Sequence, residues 1–344
     1  MYLGTPAAAV PPLEALHAAG FDIALVVTGR DHRRGRGNDR TPTPVKAAAG
    51  RLGLPVSHEL GDAADCGADL GVVVAFGRLI PPELLAVLPM VNLHFSLLPR
   101  WRGAAPVERA ILAGDEESGV CVMAVEEDLD TGGVYTREAL EVGDDTADSL
   151  RSRLVVSGST LLVETLRAGL GRGEPQEGES TYAHRIEPAD LELQWDRPAA
   201  QLARVVRIGG AWTTFRGVRF KVWEAAVVDH GSSDVAGTLE GDVVVTADGG
   251  LRLLEVQPGN RRRMPADAWL AGARPEPGER MGGTPHPARA ASPWRCCGAS
   301  TRTGPTPTWR SEPPWTARHW TGGTGPSART WSTARPGCVG PATT

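Results

Sequence analysis

Asn92, His94 and Ser96 occupy alternate positions in Asn92-Leu-His-Phe-Ser96, at the end of an apolar run. Side chains alternate faces along a strand, so this spacing sets an amide, an imidazole and a hydroxyl on one side. A carboxylate follows in Leu129-Asp130-Thr131-Gly132-Gly133, a Gly-rich turn. A His, an amide and a carboxylate suffice to transfer an acyl group without a metal. Taken singly, His94 reads as a hydrogen-bonded histidine at a sheet edge, and Asp130 as a turn residue satisfying backbone amides. Their company favours chemistry for both. Ser96 stays open, because a serine before Leu97-Leu98-Pro99 can simply fix the turn.

The elements that must hold these groups read as an α/β domain over residues 1–170. Pro12–Ala19 suits a helix ended by Gly20, and Phe21–Thr28 is predicted as the next strand. Val45–Leu52 suits a helix, Leu54–His58 a short strand and Asp69–Phe76 a buried parallel strand. Val91–Phe95 carries the polar positions, and Pro106 fits the first turn of a helix with Val107, Ala110 and Ile111 on one face. Val120–Val125 is a further strand, and Leu150, Leu154, Leu161 and Leu162 mark a long helix to about Ala168. This alternation argues for a mostly parallel, Rossmann-like sheet with helices on both faces. Such open sheets build their sites at the C-terminal ends of strands. Leu3-Gly-Thr-Pro-Ala is no G-x-G-x-x-G fingerprint, which argues against a dinucleotide oxidoreductase. The chain enters its first strand almost at the strand's end, so a late recorded start is expected.

Gly169–Thr181 is polar and rich in Gly and Glu, a linker by composition, and residues 171–195 are read as the connection between two domains. Across residues 196–282 the pattern shifts to one short helix, Ala199–Arg207, and short strands. The strands are predicted at Trp212–Phe215, Arg219–Trp223, Asp242–Thr246 and Leu251–Val256, with turns at Arg216-Gly217 and Asp248-Gly249-Gly250. A small antiparallel β-barrel is the natural reading. Residues 283–344 contain no Leu, Ile, Phe, Tyr or Lys, and tryptophans scatter there among Arg, Thr, Pro and Gly. Such a segment cannot bury enough surface to offset chain entropy. It is expected to be disordered or translated out of frame.

Composition narrows the class. The 344 residues leave room for two domains with sizeable cores. No apolar run is long enough to span a membrane, no secretory signal is visible at the start, and the five cysteines show no zinc spacing. A cytoplasmic monomer without a metal is expected. The formal charge is −5, and residues 283–344 carry seven Arg against one Glu, so the residues before them are distinctly acidic. Any nucleic-acid contact must therefore be local.

The same motifs carry a family resemblance. Asn92-Leu-His-Phe-Ser-Leu-Leu-Pro99 followed by Arg102-Gly103, with the later Leu129-Asp-Thr-Gly132, resembles the signature of folate-dependent formyltransferases. The similarity begins at Leu3-Gly-Thr-Pro6, passes through Pro42-Thr-Pro-Val-Lys46 and Ala75-Phe-Gly77, and reaches Leu251–Pro258, so it covers residues 1–282 in the family's order. Ser96–Pro106 is most similar to the branch that formylates a charged tRNA. The resemblance implies a formyltransferase domain followed by a small OB-like barrel. It implies transfer of the formyl group of 10-formyltetrahydrofolate to the α-amine of methionyl-initiator tRNA. In that reaction Asn92 donates to the oxyanion, His94 assists, and Asp130 orients His94 and helps take the amine's proton. Loss of one such donor commonly costs about a hundred- to a thousandfold in rate.

By the same resemblance, Phe76, Gly77, Leu79 and Ile80, then Ser96, Leu97, Leu98 and Pro99, and Val125 in the turn leading to Asp130, line the folate cleft. A flat pterin wants backbone partners in an apolar slot. Leu79 and Ile80 read equally well as core. The basic, Gly-rich loop with Arg34, Arg36 and Arg40 is implied to enter the tRNA acceptor arm, with Arg36 between two glycines; Asn38 and Asp39 stand where relatives often carry basic residues. Arg261, Arg262 and Arg263 form a second basic patch, equally legible as a solvated turn. Arg207–Trp212 is shorter than the family's Pro-containing turn, so strain is expected there. Formyltransferases acting on nucleotide or amino-sugar amines, and an inactive folate- or RNA-binding relative, are the competing readings. Turnover of formyl-folate with charged initiator tRNA separates the last from an enzyme.

Truncation after Gly282 is expected to leave formyl transfer and Tm unchanged. A tenfold loss of tRNA affinity on truncation, about 1.4 kcal/mol, would make the C-terminal segment a working part.

Overall fold

One seven-stranded sheet organises the first half of the chain in the computed structural model, which describes residues 1–33, 40–231 and 234–282. Its strands are β1 (Tyr2–Gly4), β2 (Val26–Val27), β3 (Val56–Ser57), β4 (Gly71–Val74), β5 (Met90–His94), β6 (Glu117–Ala124) and β7 (Val134–Glu141). They lie in the order β7-β6-β5-β4-β1-β2-β3. Strands β1 to β5 pair in parallel, and β6 and β7 add antiparallel on the β5 side. The order reverses between β1 and β4, which opens a crevice beyond their C-terminal ends.

Helices α1 (Val10–Ala18), α2 (Pro44–Arg51), α3 (Pro82–Val87) and α4 (Pro106–Ala113) connect these strands, and α5 (Ala147–Ala168) follows β7. Thr43 and Thr146 cap α2 and α5 by accepting from the Lys46 and Ser149 amides, both at 3.2 Å. Leu150, Leu154 and Leu162 of α5 are fully buried in one core with Leu93, Phe95, Val120 and Val122. Because Leu93 and Phe95 enter that core, the alternate positions of β5 are left for the polar side chains.

The strand predicted at Phe21–Thr28 shrinks to Val26–Val27, since Tyr2 stands opposite Val26 and residues 21–24 have no described strand beside them. The antiparallel β7 has no sequence forecast: most of its residues are partly or fully exposed, so its apolar signal is weak. Residues 171–195 form a strap rather than a free linker. Glu174 bridges Val134, and Tyr182–Ala183 pairs in parallel with Arg102–Gly103. Arg109 then grips Asp190 through two hydrogen bonds of 2.8 and 3.1 Å, which hold that carboxyl below its usual range.

The second core follows α6 (Ala199–Arg207) and is wrapped by β8 (Trp212–Phe215), β9 (Val218–Val228), β10 (Leu239–Glu240), β11 (Val243–Val245) and β12 (Gly250–Pro258). Their order is β8-β9-β12-β11-β10; β13 (Met264–Pro265) pairs with β12, and α7 (Ala266–Ala273) follows. Trp269 of α7 packs edge-on to Phe215 at 5.1 Å and against Phe220 at 4.6 Å. The two sheet edges are joined by the last described residues. Gly282 N donates to Thr214 O, Met281 N to Gly237 O and Leu239 N to Glu279 O, each at 2.8 Å. This closes the predicted barrel.

The short turn expected to be strained contains Gly209 and Gly210, at φ +84° and +78°. No residue with a Cβ is forced into that region there. Arg207, which precedes the turn, donates to Asp145 O at 2.8 Å and Gly143 O at 2.6 Å, tying α6 to the end of β7 and the cap of α5. Gly210→Ala should lower stability by about 1–2 kcal/mol, read as an earlier urea midpoint. An unchanged midpoint would show that the turn relaxes.

Candidate active site

The carboxylate of Asp130 is the meeting point. Its Oδ1 accepts from Asn92 Nδ2 at 3.2 Å, and its Oδ2 accepts from the Gly103 amide at 2.9 Å. His94 Nδ1 lies 3.7 Å from the same Oδ2, an electrostatic approach too long for a hydrogen bond. An amide nitrogen carries two hydrogens, so Asn92 keeps one after serving Asp130. His94 is buried, and its Nε2 lies 2.9 Å from the Trp101 carbonyl oxygen. A carbonyl only accepts, so Nε2 carries a proton and Nδ1 is the nitrogen turned toward Asp130.

The Trp101 carbonyl is itself held. Trp101 sits at φ +61°, its amide donates to Thr181 Oγ1 at 2.9 Å, and its indole donates to Asp115 at 2.7 Å. Arg100 binds the same carboxylate with both Nε and Nη2 and stacks over the Trp101 ring at 4.6 Å. These contacts fix the acceptor for His94 from two directions. The Asp130 turn is equally constrained: a Cβ on Gly132 would lie 2.1 Å from Ala124 O of β6.

A cleft of about 550 Å³ opens over this group. Pro6 after β1, residues 75–80 after β4, Asn92–Phe95, Gly103–Ala104 and the turn from Val125 to Asp130 line it. Its volume falls in the range of small-ligand sites. Phe76, Gly77, Leu79, Ile80 and Val125 all line this cleft, and Leu79 is largely exposed at its mouth instead of in the core. Glu126, Glu127 and Asp128 make an acidic lip, with Arg185 also on the wall.

Ser96, Leu97, Leu98 and Pro99 depart from expectation, because they are not among the cleft-lining residues. Ser96 is fully buried and its hydroxyl donates to Arg100 O at 2.6 Å, so it fixes the turn. Leu98 packs with Cys121, Met123 and Val134. Leu97 lies over Gly119 of β6, where a Cβ would come within 2.5 Å of it. The motif thus builds the support of Trp101. Pattern reading missed Trp101 O, the Gly103 amide and Thr181, since backbone partners leave no signature in residue types. Gln176, inside a polar stretch, gave none either.

Comparison with known proteins fits this geometry. The model for "Formyl transferase" matches residues 2–166, and that for "Formyl transferase, C-terminal domain" matches residues 185–274. A methionyl-tRNA formyltransferase from Symbiobacterium thermophilum is 39% identical over 319 residues, covering 85% of this chain and 98% of the relative. One from Clavibacter michiganensis is 41% identical, covering 79% of this chain and 96% of that protein. The chain belongs to the methionyl-tRNA formyltransferase family. Among solved structures, the N-formyltransferase from Helicobacter canadensis in complex with folinic acid and dTDP-3-aminofucose shares the fold. It aligns at TM-score 0.57 and 16% identity over 76% of this chain and 98% of that one.

On the barrel of this formyltransferase, Arg261, Arg262 and Arg263 are exposed between β12 and β13. Arg263 pairs with Glu255 and stacks over Trp223 at 4.9 Å. Arg219 and Lys221 stack on Trp212 and Trp223 at 4.3 and 5.4 Å, and both line a groove with Gln257, Gly259 and Asn260. Alternation along β9 puts Arg219, Lys221 and Trp223 on one face, a ladder the sequence reading did not single out. Arg34 and Arg36 lie outside the described residues, as does the Arg40 side chain.

Gly132→Ala should lower kcat by about tenfold or more, because its Cβ must push the Asp130 turn off β6. Steady-state kinetics on a variant with unchanged circular dichroism checks this. Normal kcat would show that the turn tolerates displacement.

Proposed function

We infer that this chain transfers the formyl group of 10-formyltetrahydrofolate to the α-amino group of methionine on initiator tRNA. The observation that carries the reading is the convergence of Asn92, His94 and Asp130 at the floor of a cleft with apolar walls and accessible backbone. The about 40% identity to methionyl-tRNA formyltransferases along nearly their whole length supports the choice of acceptor.

The amine attacks the formyl carbon, and the carbonyl oxygen becomes an oxyanion. The second hydrogen of Asn92 is offered to that charge, and His94 assists in its doubly protonated form, with Nδ1–H free to donate while Nε2–H stays bound to Trp101 O. Preorganised donors in a water-poor cleft cost no reorganisation when the charge develops. Asp130 steadies His94 and receives the amine's proton, directly or through water. The new C–N bond stays, the bond to the folate nitrogen breaks, and that nitrogen leaves with a proton. No strong base is needed, since an α-amine titrates near pH ~8 and its ester neighbour lowers that further. The reading routes no step through a metal.

Residues 1–170 then supply catalysis, residues 171–195 the connection, and residues 196–282 a tRNA-binding barrel. Arg219 and Lys221 join Arg261–Arg263 as phosphate partners there, and Arg34, Arg36 and Arg40 serve the acceptor arm. The protein acts as a cytoplasmic monomer in this reading; among the described residues no helix is long and apolar enough to cross a membrane.

His94→Ala and Asp130→Ala should each abolish most formyl transfer, by about a hundredfold or more, while folate binding and Tm persist. The measurement is formylation of charged initiator tRNA with formyl-folate. Near-normal turnover in either folded variant removes that residue from the mechanism.

A further inference from the structure

Asp130 holds φ +55°, in the left-handed region that Asp enters more readily than most residues but still uncommonly. One side chain grips the backbone on both sides of the next residue. Gln176 Nε2 donates to Asp130 O and to Gly132 O, both at 2.9 Å. Its Oε1 accepts from Arg102 Nε at 3.0 Å and Nη2 at 2.7 Å. The amide has one workable orientation. Reversed, its oxygen would meet two carbonyl oxygens and its nitrogen the guanidinium.

Arg102 also immediately precedes Gly103, whose amide donates to Asp130 Oδ2. The same short segment therefore aims the carboxylate and anchors the amide that clamps its backbone. Gln176 is partly buried, sits on the strap and is not among the cleft-lining residues.

We propose that Gln176 is a positioning residue: it holds the Asp130 turn so that the carboxylate faces Asn92 and His94, without touching either substrate. This rests on the role given to Asp130 above. A residue that merely ties down the strap would lower stability without singling out the chemical step.

The test is steady-state kinetics of the full chain with formyl-folate and charged initiator tRNA. Gln176→Glu keeps the length and the acceptor for Arg102 but loses both donors, and Gln176→Met removes the polar contacts at similar volume. Both should lower kcat by about ten- to a hundredfold, with the KM for each substrate and Tm nearly unchanged. In an Asp130→Ala background, Gln176→Glu should cost little more, because the group it positions is gone. Full kcat in both variants, an equal cost in the Asp130→Ala background, or a loss confined to KM and Tm overturns the proposal. If Asp130→Ala is inactive while the Gln176 variants are normal, only the positioning role falls. If Asp130→Ala itself turns over normally, the reading of the site falls with it.

Discussion

A single carboxylate must be held nearly out of water and still point at a reacting centre. The side chain of Asp130 is only 10% exposed, and a charge in such a place is tolerated only when its oxygens are hydrogen-bonded. Asn92 and the Gly103 amide meet that need, the first from the seven-stranded sheet and the second from the short pairing of Arg102–Gly103 with the strap. Asn92 is in register with Met123 of β6 and Val73 of β4, so its position follows from strand pairing and not from a loop. Around this carboxylate the rest of the site takes its form. Gly132 lets the turn lie against β6, and the Leu97–Arg102 turn brings the carbonyl that fixes the His94 tautomer.

The antiparallel addition to a parallel sheet serves the same end. A fifth parallel strand alone would leave β5 at the edge, with its polar side chains beside unpaired backbone. With β6 alongside, β5 is interior, and the turn from β6 to β7 carries Asp130 back over its C-terminal end. The strap from Glu174 to Ala183 then closes the site from the far side through backbone pairing with Val134 and Gly103. The catalytic half is thus completed by residues that follow its last helix.

Sequence reading reached what depends on local pattern. Alternation implied that Asn92 and His94 share a face, the family resemblance implied that Asp130 meets them, and the three do come together; α6 runs over Ala199–Arg207, the range read from the sequence. Periodicity also located the buried β4 and the long α5. It faltered where tertiary pairing decides. Residues 21–24 were expected in a strand but have no described strand beside them, and β7 pairs although its face is polar. Ser96–Pro99 illustrates a different gap: a motif shows which residues matter, and only geometry shows that these support the floor without lining the cleft. Gln176 was invisible because two of its partners are main-chain carbonyls, which every residue possesses, and the third, Arg102, lies 74 residues away in the chain.

The seam that closes the barrel has a consequence for how the protein is made. Strands β8 and β10 cannot be joined until residues 279–282 exist, since these supply the hydrogen bonds between the two edges. During synthesis the α/β half has its strands, helices and strap well before that point, so it can fold while the ribosome is still working. The barrel is assembled from a sheet left open until its final stitch emerges. A nascent chain stalled short of that stitch would carry a finished catalytic half beside an unzipped sheet, with two bare edges offered to chaperones or to aggregation.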